Sequence, residues 1–293
     1  MKRKVPFTKM VGAGNDFILV DARKNPLGGS ASRLAQRWCD RKQGIGADGL
    51  LVITPSSRAD ARMRIFNPDG SEAAMCGNGL RCAAWFLHSQ GNLHGALSPV
   101  ASAKGSSFAS LRTSLTTGFC LETGAGRMFI QITGRQRTRI FLTPPRKLEL
   151  HRRLTIGKRR LWFHSVDTGV PHAVLITSRL AQIPLDEWGP VIRNHPLFRP
   201  AGTNVNFIRI HSARRISIRT YERGVEAETL ACGTGACASV VVATALGHLR
   251  PPVQVVTAGG ETLRVGFRQG DCFEQGSTLE GSAKILFEGA IPL

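Results

Sequence analysis

Two cysteines lie in matching glycine-rich surroundings far apart in the chain. Cys76 lies within "EAAMCGNGLRCAA" (residues 72–84), and Cys232 lies within "ETLACGTGACAS" (residues 228–239). Both segments contain an acidic residue, a Cys-Gly-x-Gly core and a second cysteine, with a difference of one residue in spacing. A single buried cysteine usually serves packing, because a thiol behaves as a small hydrophobic group. A repeated motif instead indicates two related halves that each supply one reactive thiol.

Each motif is followed by an apolar segment that predicts a helix. In the first segment, Leu80, Ala83, Ala84 and Leu87 recur at helical spacing, and Gly91 marks a stop. The second segment is apolar on almost every side and predicts a buried helix that ends near Gly247. A cysteine just before a helix faces unpaired backbone N–H groups and the positive end of the helix dipole, which favour the thiolate over the thiol.

The same N–H groups form an anion site, and four glycines let a ligand carboxylate approach the backbone: Gly77, Gly79, Gly233 and Gly235. If the two helix starts meet one amino acid, both hold its α-carboxylate and one sulfur lies on each side of Cα. A thiolate then removes the α-proton from one face while a thiol delivers a proton to the other. Without an electron-sink cofactor, the carbanion needs preorganised N–H donors in a water-poor cleft. The pattern therefore indicates racemase or epimerase chemistry.

Short alternating apolar runs between Gly, Pro and Asn turns predict strands: FILVDA, LLVIT, MRIFN, RMFIQIT, RTRIFLT, HAVLIT, VNFIRIH, ISIRTYE, LRVGF and AKILFEG. Few other segments have a helical pattern. Each half is therefore expected to be a sheet around one central helix, with the boundary near Gly134. A small-residue, Ser-rich stretch at 101–118 predicts a surface excursion.

Length and cysteine usage narrow the class of protein. A chain of 293 residues suffices for two domains of ordinary size. Its apolar runs are too short to cross a bilayer and its N-terminal residues lack an apolar signal core, so we expect a cytoplasmic protein. Seven cysteines with no CxxC pair indicate neither a disulfide framework nor a zinc site.

The formal net charge of +19 raises the alternative of a nucleic-acid-binding protein. The basic residues concentrate between Gly134 and Leu161, where Glu149 is the only acidic residue. That stretch contains a single Phe, and Tyr221 is the only tyrosine of the chain, so a stacking platform for single strands is missing. We interpret the stretch as a solvated basic face and expect no specific nucleic-acid partner.

The chain resembles the diaminopimelate epimerase family, whose members act without pyridoxal phosphate. The resemblance rests on six blocks in the family's order, which together span most of the chain: KMVGAGNDF (9–17), DRKQGIGADGLL (40–51), FNPDGSEAAMCGNG (66–79), TGVPHAV (168–174), GTNVNF (202–207) and YERGVEAETLACGTGA (221–236). It implies an α+β fold of two pseudo-symmetric domains, each a mostly antiparallel sheet wrapped around a central helix, with the active site in the cleft. We expect domains at 1–133, completed by a last strand at 282–293, and at 134–281.

The resemblance also implies the roles of individual residues. Cys76 and Cys232 would be the acid and base pair that converts LL-diaminopimelate to the meso form for lysine and peptidoglycan precursors, with no cofactor and no metal. Four residues would donate to the α-carboxylate: Gly77, Asn78, Gly233 and Thr234. Further substrate contacts would be Asn15, Asn67, Asn204, Glu222 and Arg223. His172 lies beside the site in the pattern and, with Glu222, would support catalysis, and the family implies a homodimer.

One departure from the family pattern bears on the substrate. Val170 stands where the family has an asparagine that contacts the distal end of the substrate, and valine cannot donate that hydrogen bond. The alternative within the enzyme class is a related two-cysteine racemase of the proline or hydroxyproline type. Outside that class, a thiol redox protein would need the two cysteines to cycle through a disulfide.

Overall fold

The computed structural model of the chain describes residues 4–91, 118–269 and 272–293. The described residues of Met1–Ile140 and Gly281–Leu293 form one compact unit, and those of Phe141–Glu280 form a second. Residues 101–117 of the predicted surface excursion lie outside the described residues, and Gly118 already belongs to a buried strand.

The first unit contains a mixed sheet in which antiparallel pairs predominate. Its strands are β1 (Lys4–Gly12), β2 (Asn15–Asp21), β3 (Gly49–Thr54), β4 (Ala61–Phe66), β5 (Glu72–Ala73), β6 (Gly118–Thr123), β7 (Gly126–Gly134), β8 (Arg137–Phe141) and, from the end of the chain, β18 (Lys284–Pro292). Along the sheet, β18 pairs with β1, β1 with β2, β2 with β3, β3 with β4, β4 with β6 and β6 with β7. Of these, β2–β3 and β4–β6 are parallel, and the short β5 adds an antiparallel pair to β4.

The second unit has the strands β9 (Arg146–Ile156), β10 (Arg159–Asp167), β11 (Pro171–Ile176), β12 (Asn204–Ser212), β13 (Arg215–Glu222), β14 (Ala227–Thr229), β15 (Val253–Val256), β16 (Thr262–Gln269) and β17 (Cys272–Ser282). The strand β9 pairs with β10, β10 with β11, β11 with β12, β12 with β13, β13 with β15, and β15 with β16. Here β11–β12 and β13–β15 are parallel, β14 pairs with β13, and β17 pairs antiparallel with β16.

The pairing order of one unit repeats in the other, strand for strand. In each unit, six successive strand pairs along the sheet are antiparallel, antiparallel, parallel, antiparallel, parallel and antiparallel. A short extra strand, β5 or β14, joins the fourth of these pairs in each unit. This repetition confirms the α+β class and the two related halves predicted from the sequence. Each of the ten predicted strand segments coincides with an observed strand, and none extends more than two residues beyond it.

A long buried helix packs against the sheet of each unit. The helix α2 (Gly77–Ser89) packs on β1, β2 and β7, and it buries Leu80, Ala83, Ala84 and Leu87 as predicted. A second such helix (Gly233–Ala245) packs on β10, β11, β12 and β16, with its residues buried almost throughout. Positive φ angles at Gly91 and Gly247 follow the two helices, which confirms the predicted stops.

Two short helices were missed by sequence reasoning, and they occupy the same place in the two units. The helix α1 (Ala31–Trp38) lies between β2 and β3, and α3 (Leu185–Arg193) lies between β11 and β12; the long helix at Gly233–Ala245 is therefore α4. The helix α1 buries Trp38 in the core of the first unit, and α3 carries Pro190 in its interior. Eight or nine residues show too few turns for a helical period to be read, and an internal proline argues against a helix. Short 3₁₀ helices occur at Leu180–Gln182 and Pro196–Phe198.

The basic stretch contains β8, β9 and the first residues of β10, and most of its charged side chains are exposed. The guanidinium of Arg153 lies 4.2 Å from the ring centre of Trp162, whose side chain is 52% exposed, and Glu149 pairs with Arg152. Among the described residues, the structure contains no helix with the length and apolar character needed to cross a membrane.

Glycines allow the starts of the long helices to lie against neighbouring strands. A Cβ at Gly79 would lie 2.9 Å from Cδ2 of Leu51, and one at Gly235 would overlap Oδ1 of Asn206. The Asn206 side chain cannot easily move away, because it donates to the Ala173 carbonyl and accepts from the Thr220 hydroxyl. These glycines therefore determine how closely each helix start approaches its sheet.

We expect Gly235→Ala to lower the free energy of unfolding by about 2 kcal/mol, because overpacking at a fixed neighbour outweighs the helix preference of alanine. Gly134→Ala is the matched control, since a Cβ there meets nothing within 4 Å, and its effect should stay within about 0.5 kcal/mol. Urea unfolding measures both. Equal stability of the two variants would contradict close packing of the α4 start on Asn206.

Candidate active site

Cys76 is the N-cap residue of α2. Its backbone is extended, with φ −139° and ψ 119°, and its Sγ accepts the backbone N–H of Gly79 at 3.4 Å. Its carbonyl accepts the first helical hydrogen bond, from Leu80 N, at 2.8 Å. The thiol therefore takes the place that Ser, Thr, Asp or Asn has in ordinary helix caps, where a side chain meets otherwise unpaired N–H groups.

Cys232 has the same geometry at α4. Its φ and ψ are −119° and 110°, and its Sγ accepts the N–H of Gly235 at 3.4 Å. The hydroxyl of Thr234 lies 3.5 Å from the same sulfur. Cys232 is 5% exposed, whereas Cys76 is half-buried. Each sulfur thus lies at the positive end of a helix of thirteen residues, an environment that stabilises negative charge.

In the first unit, two of the predicted substrate residues bind each other. Nδ2 of Asn78 donates to Oδ1 of Asn15 at 2.6 Å, so the start of β2 is linked to the start of α2. Asn15 is placed there by a two-residue hairpin, in which Ala13 and Gly14 both have positive φ angles of 54° and 87°. Asn78 also accepts from Nη2 of Arg81, a fully buried guanidinium, at 2.7 Å.

Asn15 donates to Asp48, which belongs to a cluster of charged side chains. No role was assigned to this cluster from the sequence. Asp16 accepts from Lys9 and Arg41, each at 2.7 Å, and Arg41 also donates to Asp48 at 2.7 Å. The buried Lys9 also donates to the Gly46 carbonyl. Burial by itself would raise the pKa of Asp16, but the hydrogen bonds and charges of Arg41 and Lys9 outweigh burial and hold that pKa at about 2.

Among the other predicted residues of the first unit, Gly77 is the first residue of α2, and Asn67 lies in the tight turn after β4. Its Nδ2 donates to the Ser71 hydroxyl at 2.9 Å, and its backbone N–H donates to the Ser71 carbonyl at 2.8 Å. Asp69 accepts the backbone N–H and the hydroxyl of Ser71. This turn leads through β5 into Cys76, so its geometry helps to set the approach of the chain to α2.

In the second unit, Asn204 and Arg223 are brought together. The backbone N–H of Arg223 donates to Oδ1 of the buried Asn204 at 2.9 Å, and Asn204 donates to the Pro171 carbonyl at 3.2 Å. Glu222 accepts from the Thr229 hydroxyl at 2.9 Å, and burial outweighs this bond and raises the pKa of the Glu222 carboxyl. The Glu222–Arg223 pair therefore does not resemble an exposed surface ion pair.

His172 is 1% exposed, and its Nδ1 lies 3.1 Å from Nδ2 of Asn206. Since an amide nitrogen can only donate, Nδ1 is the acceptor and the ring proton of the neutral imidazole lies on Nε2. Burial, assisted by the positive charge of Arg223, lowers the pKa of His172 to about 3. Asn206 was missed by sequence reasoning, although it lies in the same block as Asn204. Asn206 lies within a run of alternating strand residues, and that pattern predicts a strand but gives no sign of a functional side chain.

The loop before His172 contacts the start of α4. The hydroxyl of Thr168 donates to the Thr234 carbonyl at 3.1 Å, and the Thr168 N–H donates to the Val170 carbonyl at 3.2 Å. The Val170 side chain is half-buried. The loop with the unusual valine is therefore attached to the helix that Cys232 caps.

Other cysteines fit a packing role. Burial raises the pKa of Cys39 and of Cys120 to about 11, so both remain thiols at neutral pH. Cys82 and Cys237 are fully buried within the two long helices. Within the part of the chain that the structure describes, no three His, Cys, Asp or Glu side chains are grouped to hold a metal ion.

Two kinds of known proteins are similar to this chain. The chain matches the family model for diaminopimelate epimerase over residues 7–148 and 164–276. It is 38% identical to the diaminopimelate epimerase of Carboxydothermus hydrogenoformans, covering 97% of this chain and 98% of the relative. It is 39% identical to that of Chlorobaculum tepidum, covering 97% of this chain and 100% of the relative.

Solved structures share the fold at lower identity. A phenazine biosynthesis protein of the PhzF family from Bacillus anthracis matches with a TM-score of 0.69 at 16% identity, covering 99% of this chain and all of that one. A hydroxyproline epimerase from Agrobacterium vitis matches with a TM-score of 0.68 at 18% identity, covering 100% of this chain and 92% of that one. The family model and the near-complete relatives establish that the chain belongs to the diaminopimelate epimerase family.

Proposed function

We propose that this protein converts LL-diaminopimelate to meso-diaminopimelate, with Cys76 and Cys232 as the two bases, and that it does so without a cofactor. The observation that carries the proposal is the pair of cysteine N-caps, each with its sulfur at the start of a buried helix. Membership of the family supplies the substrate class. The enzyme is proposed to act in the cytoplasm as a homodimer, in the supply of lysine and peptidoglycan precursors.

The α-carboxylate of the substrate binds, in this proposal, to the N–H groups at the helix starts. These are the groups of Gly77, Asn78, Gly233 and Thr234. Helix N-termini favour anions because several N–H groups point outward and the helix dipole is positive there. Asn15, Asn67, Asn204, Glu222 and Arg223 then hold the other ammonium and carboxylate groups, since an amide can both donate and accept while a guanidinium binds a carboxylate through parallel bonds.

Proton transfer needs one thiolate and one thiol. The thiolate takes the α-proton and becomes a thiol, while the electron pair of the broken C–H bond remains on the substrate and spreads into its carboxylate. The opposite thiol gives its proton to the other face of the α-carbon and becomes a thiolate. N–H donors at the helix starts stabilise the extra negative charge as it develops. In the reverse direction, the two sulfurs exchange roles.

In this proposal His172 and Glu222 support the chemistry, and His172 does so without a change of charge during turnover. A pKa of about 3 keeps His172 neutral at the pH of the cytoplasm, so it offers a fixed Nε2–H donor. Its orientation is set by Asn206, which lies against the Gly235 backbone of α4. We therefore assign His172 a supporting role beside Cys232.

We expect Cys76→Ala and Cys232→Ala each to lower turnover of LL-diaminopimelate by at least about a thousandfold, because each removes an acid or a base. Cys272→Ala is the control, since Cys272 lies on β17 outside the two helix starts and should remain near wild type. Stereochemical analysis of the product and circular dichroism of each variant check activity and fold. Near-normal turnover by either variant would refute the two-thiol mechanism.

Incorporation of deuterium from the solvent tests both which amino acid is the substrate and whether two separate bases act. Reduced protein in D2O should place deuterium at Cα of the meso product, while the LL-substrate recovered early retains its proton, because different sulfurs remove and deliver protons. Proline incubated in parallel tests the related racemase activity. Exchange with proline alone would move the assignment to that class and would indicate that Val170 excludes the diamino substrate.

The stability of the fold should depend on His172 at acid pH. Its folded-state pKa of about 3 lies below the ordinary value of 6.5, so below pH 6.5 the unfolded chain binds a proton that the folded chain does not. This contribution to stability is therefore complete above pH 6.5 and falls by about 1.4 kcal/mol per pH unit as the pH decreases toward 3. His172→Gln should remove that part of the pH dependence in urea unfolding between pH 6.5 and 5, whereas the exposed His211→Gln should keep it. Parallel curves for wild type and His172→Gln would contradict this.

A further inference from the structure

We propose that Asp48 is a positioning residue that fixes the orientation of the Asn15 and Asn78 side chains at the start of α2. The inference rests on the proposed function, since these two asparagines are proposed to contact the substrate. Asp48 lies in the block at residues 40–51, where neither the resemblance nor the sequence reasoning assigned any residue a role. Asp48 is proposed to act through the Asn15 side chain and not by direct contact with the substrate.

The four side chains Asp48, Asn15, Asn78 and Arg81 form one continuous hydrogen-bonded chain. Asn15 Nδ2 donates to Asp48 Oδ2 at 2.9 Å, Asn78 Nδ2 donates to Asn15 Oδ1 at 2.6 Å, and Arg81 Nη2 donates to Asn78 Oδ1 at 2.7 Å. Each amide uses its nitrogen toward Asp48 and its oxygen toward Arg81. The chain therefore has a direction.

That direction is imposed by the two ends. A carboxylate can only accept hydrogen bonds and a guanidinium can only donate them, whereas an asparagine amide presents an oxygen or a nitrogen with almost the same shape. Asp48 thus requires the nitrogen of Asn15, and Arg81 requires the oxygen of Asn78. Rotating either amide by 180° would place two donors or two acceptors in contact, and the cost is greatest at the buried Asn78 and Arg81, where water cannot replace a lost hydrogen bond.

The Asp48 carboxylate is itself held in place. Its Oδ1 accepts from Arg41 at 2.7 Å, its Oδ2 also accepts the backbone N–H of Asp16 at 3.2 Å, and its own N–H donates to the Asp16 carbonyl at 2.9 Å. The last two of these bonds lie directly before the first residue pair of the parallel strands β2 and β3, which is Phe17 with Gly49. The sheet therefore fixes the carboxylate, the carboxylate fixes Asn15, and Asn15 fixes the side chain of the second residue of α2.

The consequence is a preorganised binding surface beside Cys76. The second N–H of each amide and the backbone N–H groups of α2 are presented to a ligand in one arrangement. Preorganised donors bind an anionic group without the cost of ordering them at the moment of binding. Asp48→Asn removes the acceptor-only end and the negative charge of the acceptor, so the orientation of Asn15 is then held only from the Arg81 end, through Asn78.

The test compares Asp48→Asn with Asp16→Asn. Both variants remove one negative charge from the same cluster, but the Asp16 carboxylate accepts from Lys9, Arg41 and the backbone N–H of Asp48, whereas the Asp48 carboxylate accepts from the Asn15 side chain. For Asp48→Asn we expect KM for LL-diaminopimelate to rise at least about tenfold with kcat within about threefold, because substrate binding is affected and the sulfurs are not. Asp16→Asn should keep both constants within about threefold of wild type. In an Asn15→Ala background, Asp48→Asn should have an effect of less than about twofold, because it acts through Asn15.

A measurement without substrate separates this inference from the proposed function. The side-chain N–H signals of Asn15 and Asn78 in NMR spectra should exchange with solvent at least about tenfold faster in Asp48→Asn, and at the wild-type rate in Asp16→Asn. An inactive wild-type protein would refute the proposed function, while the exchange data would still decide the inference. The inference would be overturned if the exchange rates in Asp48→Asn equalled those of the wild type. It would also be overturned if the fold-changes in KM of Asp48→Asn and Asn15→Ala multiplied in the double variant.

Discussion

In both units the sulfur of a cysteine accepts a backbone N–H from the residue three positions further along the chain, and this bond lies where the long helix begins. A buried helix must satisfy its first N–H groups locally, because water does not reach them easily. A thiol in that position satisfies one group and is itself stabilised as a thiolate. The glycine that donates also allows close approach to the sheet, at Leu51 in one unit and at Asn206 in the other. The proposed reactivity of the two cysteines and the packing of the two helices therefore depend on the same few atoms.

The two units share a topology but hold their helix starts with different chemistry. In the first unit, Asn78 is connected to charged groups through Asn15 and Asp48. In the second, the neighbours of Gly235 are neutral, because Asn206 and a buried neutral His172 occupy the corresponding region. The charged side chains of the first unit combine the exposed Arg41 with the buried Lys9 and Arg81, whereas Asn206 and His172 of the second unit are both buried and neutral. The repeated strand order thus determines where the side chains that contact each helix start lie, but it does not determine whether they are charged or neutral.

Surroundings also separate the proposed reactive cysteines from the structural ones. Burial without a helix start raises the pKa of Cys39 and Cys120, so these thiols stay protonated. The helix starts at Cys76 and Cys232 bring N–H groups and a dipole to the sulfur instead. In the proposed mechanism, the same side chain therefore serves packing or acid–base chemistry according to the backbone beside it.

The sequence by itself determined the two Cys-Gly-x-Gly motifs, the buried helices that follow them and the family, because local spacing and an ordered set of motifs carry that information. It also located ten strands, since alternation of apolar residues is a local signal. Tertiary structure decided the rest. The helices α1 and α3 are too short for periodicity and are stabilised by the core that they cover. The chain from Asp48 through Asn15 to Asn78 joins residues 33 and 63 positions apart, and the neutrality of His172 comes from burial. Such contacts follow from strand register and packing, which no stretch of sequence specifies alone.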